Sequence, residues 1–162
     1  MIYLGLGSNL PGTYETSSAL MGAAIARLSR ARLRICAVSP FYETPPVGPP
    51  GQAPYVNVAL AVSSNLSPLG LLAELHAIEA EFGRRRRVQW GPRTLDIDIL
   101  DYRGQICDHR ISLPHPRIAQ RSFVLQPLKR IAPAWRHPVT GKTLGSLLAE
   151  LPIGAVNSVK QL

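Results

Sequence analysis

The sequence contains few cysteines, few lysines and no long run of apolar residues. Its two cysteines, Cys36 and Cys107, are far apart and form no CxxC pair. This spacing argues against a disulfide framework and a cysteine zinc site, and predicts a reduced cytoplasmic protein with buried thiols. The first residues show neither a basic segment nor a long apolar stretch. We therefore expect no secretory signal peptide and no membrane span.

The charged residues are unbalanced in sign and in type. Lysine and arginine total 18 against 10 acidic residues, a formal net charge of +8, and the only lysines are Lys129, Lys142 and Lys160. A basic protein favours an anionic partner, and arginine binds phosphate oxygens in a bidentate geometry. Charge alone does not separate nucleic acid, a membrane surface and a small phosphate ligand. With 162 residues, 46% of them apolar, the chain can form one domain with a substantial core.

The predicted elements follow the order β-α-β-β-α-β. Strands are expected over residues 2–6, 33–42, 56–63 and 95–101, and helices over 15–30, 67–83 and 143–151. The second helix has the clearest boundaries, because Ser67 and Pro68 suit its N-cap and first turn, and Gly83 suits its end. The order predicts a single α+β domain of ferredoxin-like type, with an antiparallel sheet covered by helices on one face. Residues 152–162 are expected to be a loose tail.

Residues 83–101 combine four consecutive arginines, a Trp-Gly-Pro-Arg corner and an alternating strand. Leu95, Ile97 and Ile99 share one face of that strand, and Asp96 and Asp98 share the other. Two neighbouring carboxylates repel each other unless a cation lies between them. Oxygen ligands beside arginines indicate Mg²⁺ with a polyphosphate. The structural alternative is a solvated strand face beside a basic loop.

Three further stretches each allow a structural and a functional interpretation. Gly7-Ser8-Asn9 follows the first strand and is too short for a dinucleotide fingerprint, so a plain turn is the simpler interpretation. A proline-rich loop leads into Tyr55 and Asn57, which face the same side. An aromatic ring beside an amide suits a flat heterocycle, and it equally suits a buried tyrosine with a turn asparagine. His115 stands between two prolines, as a ligand contact or as a structural residue.

Together these stretches resemble the 6-hydroxymethyl-7,8-dihydropterin pyrophosphokinase family of folate biosynthesis. The motifs stand in the family's order over roughly residues 2–135. They are Gly7-Ser8-Asn9-Leu10, residues 41–48, Tyr55-Val56-Asn57, the run from Trp90 to Leu100, and Leu113-Pro114-His115-Pro116 with Arg121 and Phe123. WGPRTLDIDIL with a downstream PHP is far more specific than any single motif.

The resemblance implies transfer of a pyrophosphoryl group from ATP to the pterin hydroxymethyl group, with release of AMP and no covalent intermediate. ATP would be the co-substrate, and Asp96 and Asp98 would hold two Mg²⁺ ions that align an in-line displacement. The implied catalytic residues are Arg84, Arg86, Arg93, Asp96 and Asp98. The implied pterin site is Thr44, Pro45, Pro46, Val47, Tyr55, Asn57, Trp90, Asp96 and Phe123. The implied ATP site is His76, Glu79, Arg84, Arg86, Trp90, Arg93, Ile99, Arg110, Ser112, His115 and Arg121.

Two other functions are weighed against this one. A small basic ferredoxin-like RNA-binding module would carry aromatic residues for base stacking on its central strands, and the sequence has no such strand motif. A homologue that binds ATP or pterin without turnover is disfavoured by the retained Arg93, Asp96, Asp98 and His115. We therefore expect a cytoplasmic monomer that acts on small molecules, with neither nucleic acid nor a membrane as its partner.

Overall fold

The computed structural model describes residues 1–46, 51–84 and 93–162 of the chain. The strands are β1 (Ile2–Ser8), β2 (Arg34–Val38), β3 (Tyr42–Thr44), β4 (Tyr55–Ser63), β5 (Asp96–Tyr102), β6 (Cys107–Asp108), β7 (Ser112–Leu113) and β8 (Lys160–Gln161). The helices are α1 (Ser17–Leu28), α2 (Pro68–Glu81), α3 (Ser122–Ile131), α4 (Leu144–Ala149) and α5 (Ile153–Asn157), and a 3₁₀ turn spans Ile118–Gln120.

The main sheet is antiparallel at every strand pairing within the described ranges. Its order is β5-β1-β4-β3-β8, with β2 also paired to β4, so β1 and β4 occupy its centre. β6 and β7 form a separate two-stranded sheet. Two β-α-β units whose strands interleave in this way define the ferredoxin-like α+β fold. The predicted fold class is confirmed.

The strand predicted over residues 33–42 is divided into β2 and β3. Both pair with the same edge of β4, and Ser39 and Pro40 lie between them. The Ser39 N–H donates to the Ala59 carbonyl, and the Ser39 hydroxyl accepts from the Ala59 N–H, both at 3.0 Å. Pro40 has no N–H with which to continue the ladder. The chain therefore leaves the sheet at this point and rejoins it at Tyr42.

One face of the sheet is covered by α1 and α2. The core between them contains Ile2, Leu4, Leu6, Leu20, Met21, Leu28, Leu60, Leu71, Leu75, Ile78 and Ile97, all buried. The predicted start of α2 is confirmed, because the Ser67 hydroxyl accepts from the Gly70 N–H at 3.2 Å and Pro68 occupies the first turn. Arg27 of α1 and Glu81 of α2 form two hydrogen bonds of 2.7 Å that join the helices.

Helices also lie on the other face of the sheet, where the sequence predicts none. α3 and α4 pack there with Leu100 and Trp135 in a second cluster that includes Val124, Leu125 and Leu128. The spacing of the three α3 residues is helical, but Pro127 within the segment obscures the pattern because proline is rare in helix interiors. The prediction of helices on one face only is therefore wrong.

Residues 152–162 also differ from the loose tail that the sequence predicts. They contain α5, which contacts α3, and β8, which pairs with β3. A five-residue helix and a two-residue strand have too little periodicity to be recognised from sequence, and both depend on partners elsewhere in the fold.

The cysteines are free, as predicted, but they are not both buried. Cys36 is exposed and Cys107 is half-buried. Cys36 lies on β2, where alternate residues face solvent because the strand is at the sheet edge. Within the described residues, no helix is long and apolar enough to cross a membrane.

Candidate active site

A cavity of about 280 Å³ opens on the face of the sheet that carries α3. Gly5 and Gly7 of β1 form part of its lining. Gly7 lies between Asn57 of β4 and Asp96 of β5, and a Cβ atom at Gly7 would lie 3.4 Å from Asn57 Oδ1. Glycine at these positions keeps the centre of the sheet open to a ligand, because no side chain rises from it.

Aromatic and amide groups form one side of the cavity. Its lining includes Thr44, Pro45, Tyr55, Asn57 and Phe123. Asn57 is buried, and its Nδ2 donates to the Thr44 hydroxyl at 2.9 Å, which fixes the orientation of the amide. Burial raises the pKa of the Tyr55 phenol, so this side chain keeps its proton at neutral pH. Aromatic surfaces beside an oriented amide suit a flat heterocycle.

Asp96 is held by two guanidinium groups on the other side of the cavity. Arg84 bridges Asp96 and Glu79, and Arg93 pairs with the second oxygen of Asp96. Glu79 is 2% exposed, and its Oε1 accepts from the Ile97 N–H at 2.6 Å. Burial raises the pKa of Glu79, while the Ile97 N–H and Arg84 oppose that rise. A buried carboxylate on α2 thus orients Arg84 toward β5.

Asp98 has longer contacts with its cationic neighbours. Its Oδ2 lies 3.4 Å from Arg121 Nη1 and 3.6 Å from His115 Nε2, and its side chain is 43% exposed. The Arg117 N–H donates to His115 Nδ1 at 3.0 Å, so neutral His115 carries its proton on Nε2, facing Asp98. Burial lowers the pKa of His115, and Asp98 opposes this effect. The Arg121 guanidinium also lies 5.7 Å from the centre of the Phe123 ring.

The carboxylates of Asp96 and Asp98 fit a magnesium ion that is shared with a substrate. Residues 1–46, 51–84 and 93–162 contain no cluster of three or more His, Cys, Asp or Glu side chains suited to a metal. Mg²⁺ does not require such a cluster, since it commonly binds one or two carboxylates and takes waters and phosphate oxygens as its other ligands. Asp98 is open enough to accept the ion. Asp96 would exchange at least one guanidinium for it.

Asn9 is a buried site residue that sequence reasoning left in a plain turn. It is 1% exposed, its Oδ1 accepts from the Arg93 N–H at 2.8 Å, and its own N–H donates to the Arg93 carbonyl at 3.1 Å. Its Nδ2 donates to Gln52 Oε1 at 3.2 Å and to the Ala53 carbonyl at 3.3 Å. One side chain thus joins the end of β1, the proline-rich loop and the start of the β5 segment. The GSN motif marked this position without indicating its partners.

The structure brings most of the described candidate residues together. Those that line the cavity are Thr44, Pro45, Tyr55, Asn57, Arg93, Asp96, Asp98, Arg121 and Phe123. Arg84 and His115 join them through Asp96 and Asp98, and Glu79 joins them through Arg84. Further lining residues, to which the sequence analysis assigned no site role, are Gly5, Leu6, Gly7, Val58, Leu100, Arg117 and Val124.

Other candidate residues lie away from this cavity or outside the described ranges. Pro46 is half-buried and does not line the cavity, and His76, Arg110 and Ser112 are exposed beyond it. Ile99 is buried in the core beneath α1 and α2, on the face of β5 opposite Asp98. Val47, Arg86 and Trp90 fall outside the described residues. The roles assigned to these eight residues stay predictions.

The cavity joins two unlike surfaces on one sheet face. The guanidinium groups around the two carboxylates suit the phosphates of a nucleotide, and the aromatic side suits a flat acceptor. This is the arrangement expected for phosphoryl-type transfer, in which positioning and charge stabilisation supply most of the catalysis.

Comparison with known proteins leads to the same class. A family described as 7,8-dihydro-6-hydroxymethylpterin-pyrophosphokinase (HPPK) matches residues 3–133. A Pseudomonas aeruginosa protein named 2-amino-4-hydroxy-6-hydroxymethyldihydropteridine pyrophosphokinase is 45% identical over 156 residues, which cover 96% of this chain and 94% of that protein. A Methylorubrum extorquens protein of the same name is 40% identical over 159 residues, which cover 98% of each chain.

A solved structure shares the fold. The crystal structure of a Plasmodium falciparum HPPK-DHPS triple mutant with pteroate matches with a TM-score of 0.71 and 15% identity, over 99% of this chain and 46% of that one. The chain spans less than half of that longer protein, and at this identity the likeness concerns the fold alone. The sequence matches carry the assignment further: this chain is an ATP-dependent pyrophosphokinase. It belongs to the 7,8-dihydro-6-hydroxymethylpterin-pyrophosphokinase family.

Proposed function

We propose that this chain transfers a pyrophosphoryl group from ATP to the hydroxymethyl group of 6-hydroxymethyl-7,8-dihydropterin, in a Mg²⁺-dependent in-line displacement. The pterin hydroxyl oxygen forms a bond to the β-phosphorus of ATP, and the bond between that phosphorus and the α-phosphate oxygen breaks. AMP leaves with the oxygen, and the hydroxyl proton passes to solvent. The observation that carries the proposal is the position of Asp96 and Asp98, which lie between the guanidinium groups and the aromatic cavity.

The aromatic side of the cavity is assigned to the pterin. Tyr55 and Phe123 would enclose the ring. Asn57 would form hydrogen bonds with its polar edge through an amide that Thr44 already orients. Pre-orientation lowers the entropy lost on binding, because the amide need not be immobilised when the ligand arrives. Pro45 supplies further apolar surface at the same side.

The guanidinium side is assigned to the ATP phosphates. Arg84 and Arg93 are held at Asp96 by ion pairs, so they are in place before the nucleotide binds. Phosphate oxygens would compete for these guanidinium groups and release the carboxylate. Mg²⁺ bound by Asp96 and Asp98 would then neutralise phosphate charge and help align the attacking and leaving oxygens. Arg121 contacts Asp98, so it would bind a phosphate from the Asp98 side of the carboxylate pair.

The direct test is a reaction with ATP, Mg²⁺ and 6-hydroxymethyl-7,8-dihydropterin, in which AMP and the pterin diphosphate are measured by chromatography. We expect one AMP for each pterin consumed, and no AMP when the pterin is omitted or the metal is chelated. AMP formed without the pterin would contradict the proposed function. ADP in place of AMP would contradict it as well, because it would indicate transfer of a single phosphoryl group.

A further inference from the structure

The N-terminal half of α3 is attached to α5 by two side-chain hydrogen bonds. The Ser122 hydroxyl donates to the Ala155 carbonyl at 2.7 Å, and Gln126 Nε2 donates to the Val156 carbonyl at 2.8 Å. Ser122 is buried and directly precedes Phe123, which lines the cavity. The position of α5 therefore bears on the aromatic side of the candidate active site.

β3 is attached to β8 on its outer edge. β8 pairs with Tyr42 and Glu43, and beyond it the Leu162 N–H donates to the Phe41 carbonyl at 3.0 Å. β3 has only three residues, so its outer backbone groups depend on this one partner strand. Its last residue, Thr44, orients the Asn57 amide in the cavity, and Pro45 follows it in the lining.

α5 and β8 are consecutive in the chain, with the buried Val159 just before β8. One short segment thus connects two parts of the cavity wall that come from distant regions of the sequence: β3 with Thr44, and the start of α3 with Phe123. Among the described residues, no hydrogen bond joins this segment to β5, which carries Asp96 and Asp98. The segment also lies beyond residues 3–133, the part of the chain that the family match covers.

We propose that residues 153–162, here called the brace, act as a positioning element for the pterin subsite. The brace holds β3 and the first turn of α3 at a set separation and so determines the width of the cavity. This inference rests on the proposed function, because it places the pterin in that cavity. Loss of the brace contacts should weaken pterin binding more than ATP binding, since two of the three described arginines assigned to the ATP phosphates, Arg84 and Arg93, are held by α2 and β5 and not by α3.

A matched pair of substitutions tests the β3 attachment. Leu162 is 60% exposed, and both Leu162→Ala and Leu162→Pro remove its leucine side chain. Only proline also removes the N–H that donates to Phe41. We expect Leu162→Ala to bind the pterin as the unmodified protein does. Leu162→Pro should raise the dissociation constant for the pterin by about threefold, the effect of one weakened hydrogen bond.

A combined variant tests both attachments. Ser122→Ala with Gln126→Ala removes the donors to α5, and Leu162→Pro is added to them. We expect the dissociation constant for the pterin to rise by about tenfold and that of a non-hydrolysable ATP analogue by less than about twofold. Binding is measured by isothermal titration with Mg²⁺ present, and the pterin is added to protein already saturated with the analogue.

Thr143→Ala controls for a simple loss of stability. The Thr143 hydroxyl accepts from the Ser146 N–H at 3.1 Å as the N-cap of α4, away from the cavity. This variant should melt at a lower temperature with both affinities unchanged. The inference is overturned if the brace variants only melt at a lower temperature and keep both affinities. It is also overturned if the affinities for the pterin and for the ATP analogue fall equally. If the combined variant does not fold, the dissociation constants of Leu162→Pro and Leu162→Ala for the pterin decide whether the inference stands. AMP release by the unmodified protein tests the proposed function separately.

Discussion

Asp96 and Asp98 have different surroundings although they lie two residues apart on one strand face. Asp96 is 21% exposed and has a guanidinium group at each oxygen. Asp98 is 43% exposed, and its neighbours Arg121 and His115 lie at 3.4 and 3.6 Å. Both carboxylates can serve a cation, but Asp98 can do so with less rearrangement of its neighbours. The two residues should therefore tolerate substitution differently.

Asp98→Asn should lower kcat by at least about a hundredfold, because the amide keeps the size of the side chain and loses the charge that holds the metal. AMP release is measured at saturating substrates over a titration of Mg²⁺. Thermal unfolding should change little, since Asp98 is half-exposed and its side-chain contacts with the described residues His115 and Arg121 are long, at 3.6 and 3.4 Å. Glu150→Gln is the control, since it makes the same chemical change at a surface pair with Lys142. A near-normal rate for Asp98→Asn at limiting Mg²⁺ would show that the metal assignment is wrong.

Asn9→Ala should lower the free energy of unfolding by about 1–3 kcal/mol, because buried partners lose their hydrogen bonds. Gln52→Ala should cost less, since it leaves the bond between Asn9 Oδ1 and the Arg93 N–H in place. The loss in the free energy of unfolding for Asn9→Asp should lie between those of the other two variants, because the aspartate keeps the acceptor for the Arg93 N–H and loses the Nδ2 donor. Urea unfolding measures the free energy of unfolding of each variant and so tests this order. Equal effects of Asn9→Ala and Gln52→Ala would show that the Arg93 contact contributes little.

At the level of elements, the turn before α4 is closed by a histidine. His137 Nδ1 accepts from the Val139 N–H at 3.2 Å and from the Thr140 N–H at 3.4 Å. Burial lowers the pKa of His137 from its ordinary value of 6.5, and Asp101 opposes the effect. Protonation at Nδ1 would remove both acceptor contacts. The turn is therefore expected to be sensitive to acid.

The sign of the pH dependence follows from the direction of this shift. A group whose pKa is lower in the folded state contributes stability that is present above its unfolded pKa and is lost as the pH falls below it. The free energy of unfolding should therefore decrease below pH 6.5, the ordinary value for this side chain. His137→Asn should show a smaller decrease in urea titrations between about pH 7.5 and pH 5.5. His109→Asn, at an exposed histidine, serves as the control, and an identical pH dependence of all three proteins would contradict the prediction.

At the scale of the whole molecule, the net charge of +8 should act on the two substrates unequally. ATP is highly anionic and the dihydropterin is neutral, so salt screens the attraction for one of them only. Raising NaCl from about 0.05 M to about 0.5 M should raise KM for ATP several-fold and KM for the pterin less than twofold. Arg117→Gln at the cavity should weaken this salt dependence, and Arg30→Gln in the exposed turn after α1 should not. Equal salt dependence for both substrates would contradict the assignment of the guanidinium side to ATP.

The sequence predicted most accurately the features that depend only on residues close together in the chain. The N-cap at Ser67 needs only the next three residues, and the shared face of Asp96 and Asp98 needs only the alternation of a strand. α3 was missed because Pro127 interrupts its pattern. β8 was missed because two residues have no periodicity and become a strand only beside β3.

By itself, the sequence determined the ferredoxin-like order of elements, the motifs that mark the family and the carboxylate face of β5, because periodicity and motifs are local properties of a chain. Only the tertiary structure decided that Asn9 joins Gln52 to Arg93, that the buried Glu79 of α2 accepts from the Ile97 N–H of β5, and that residues 153–162 attach to both β3 and α3. Each of these contacts joins residues far apart in the sequence. A hydrogen bond between distant residues leaves no pattern in either segment, because its geometry exists only after the chain has folded.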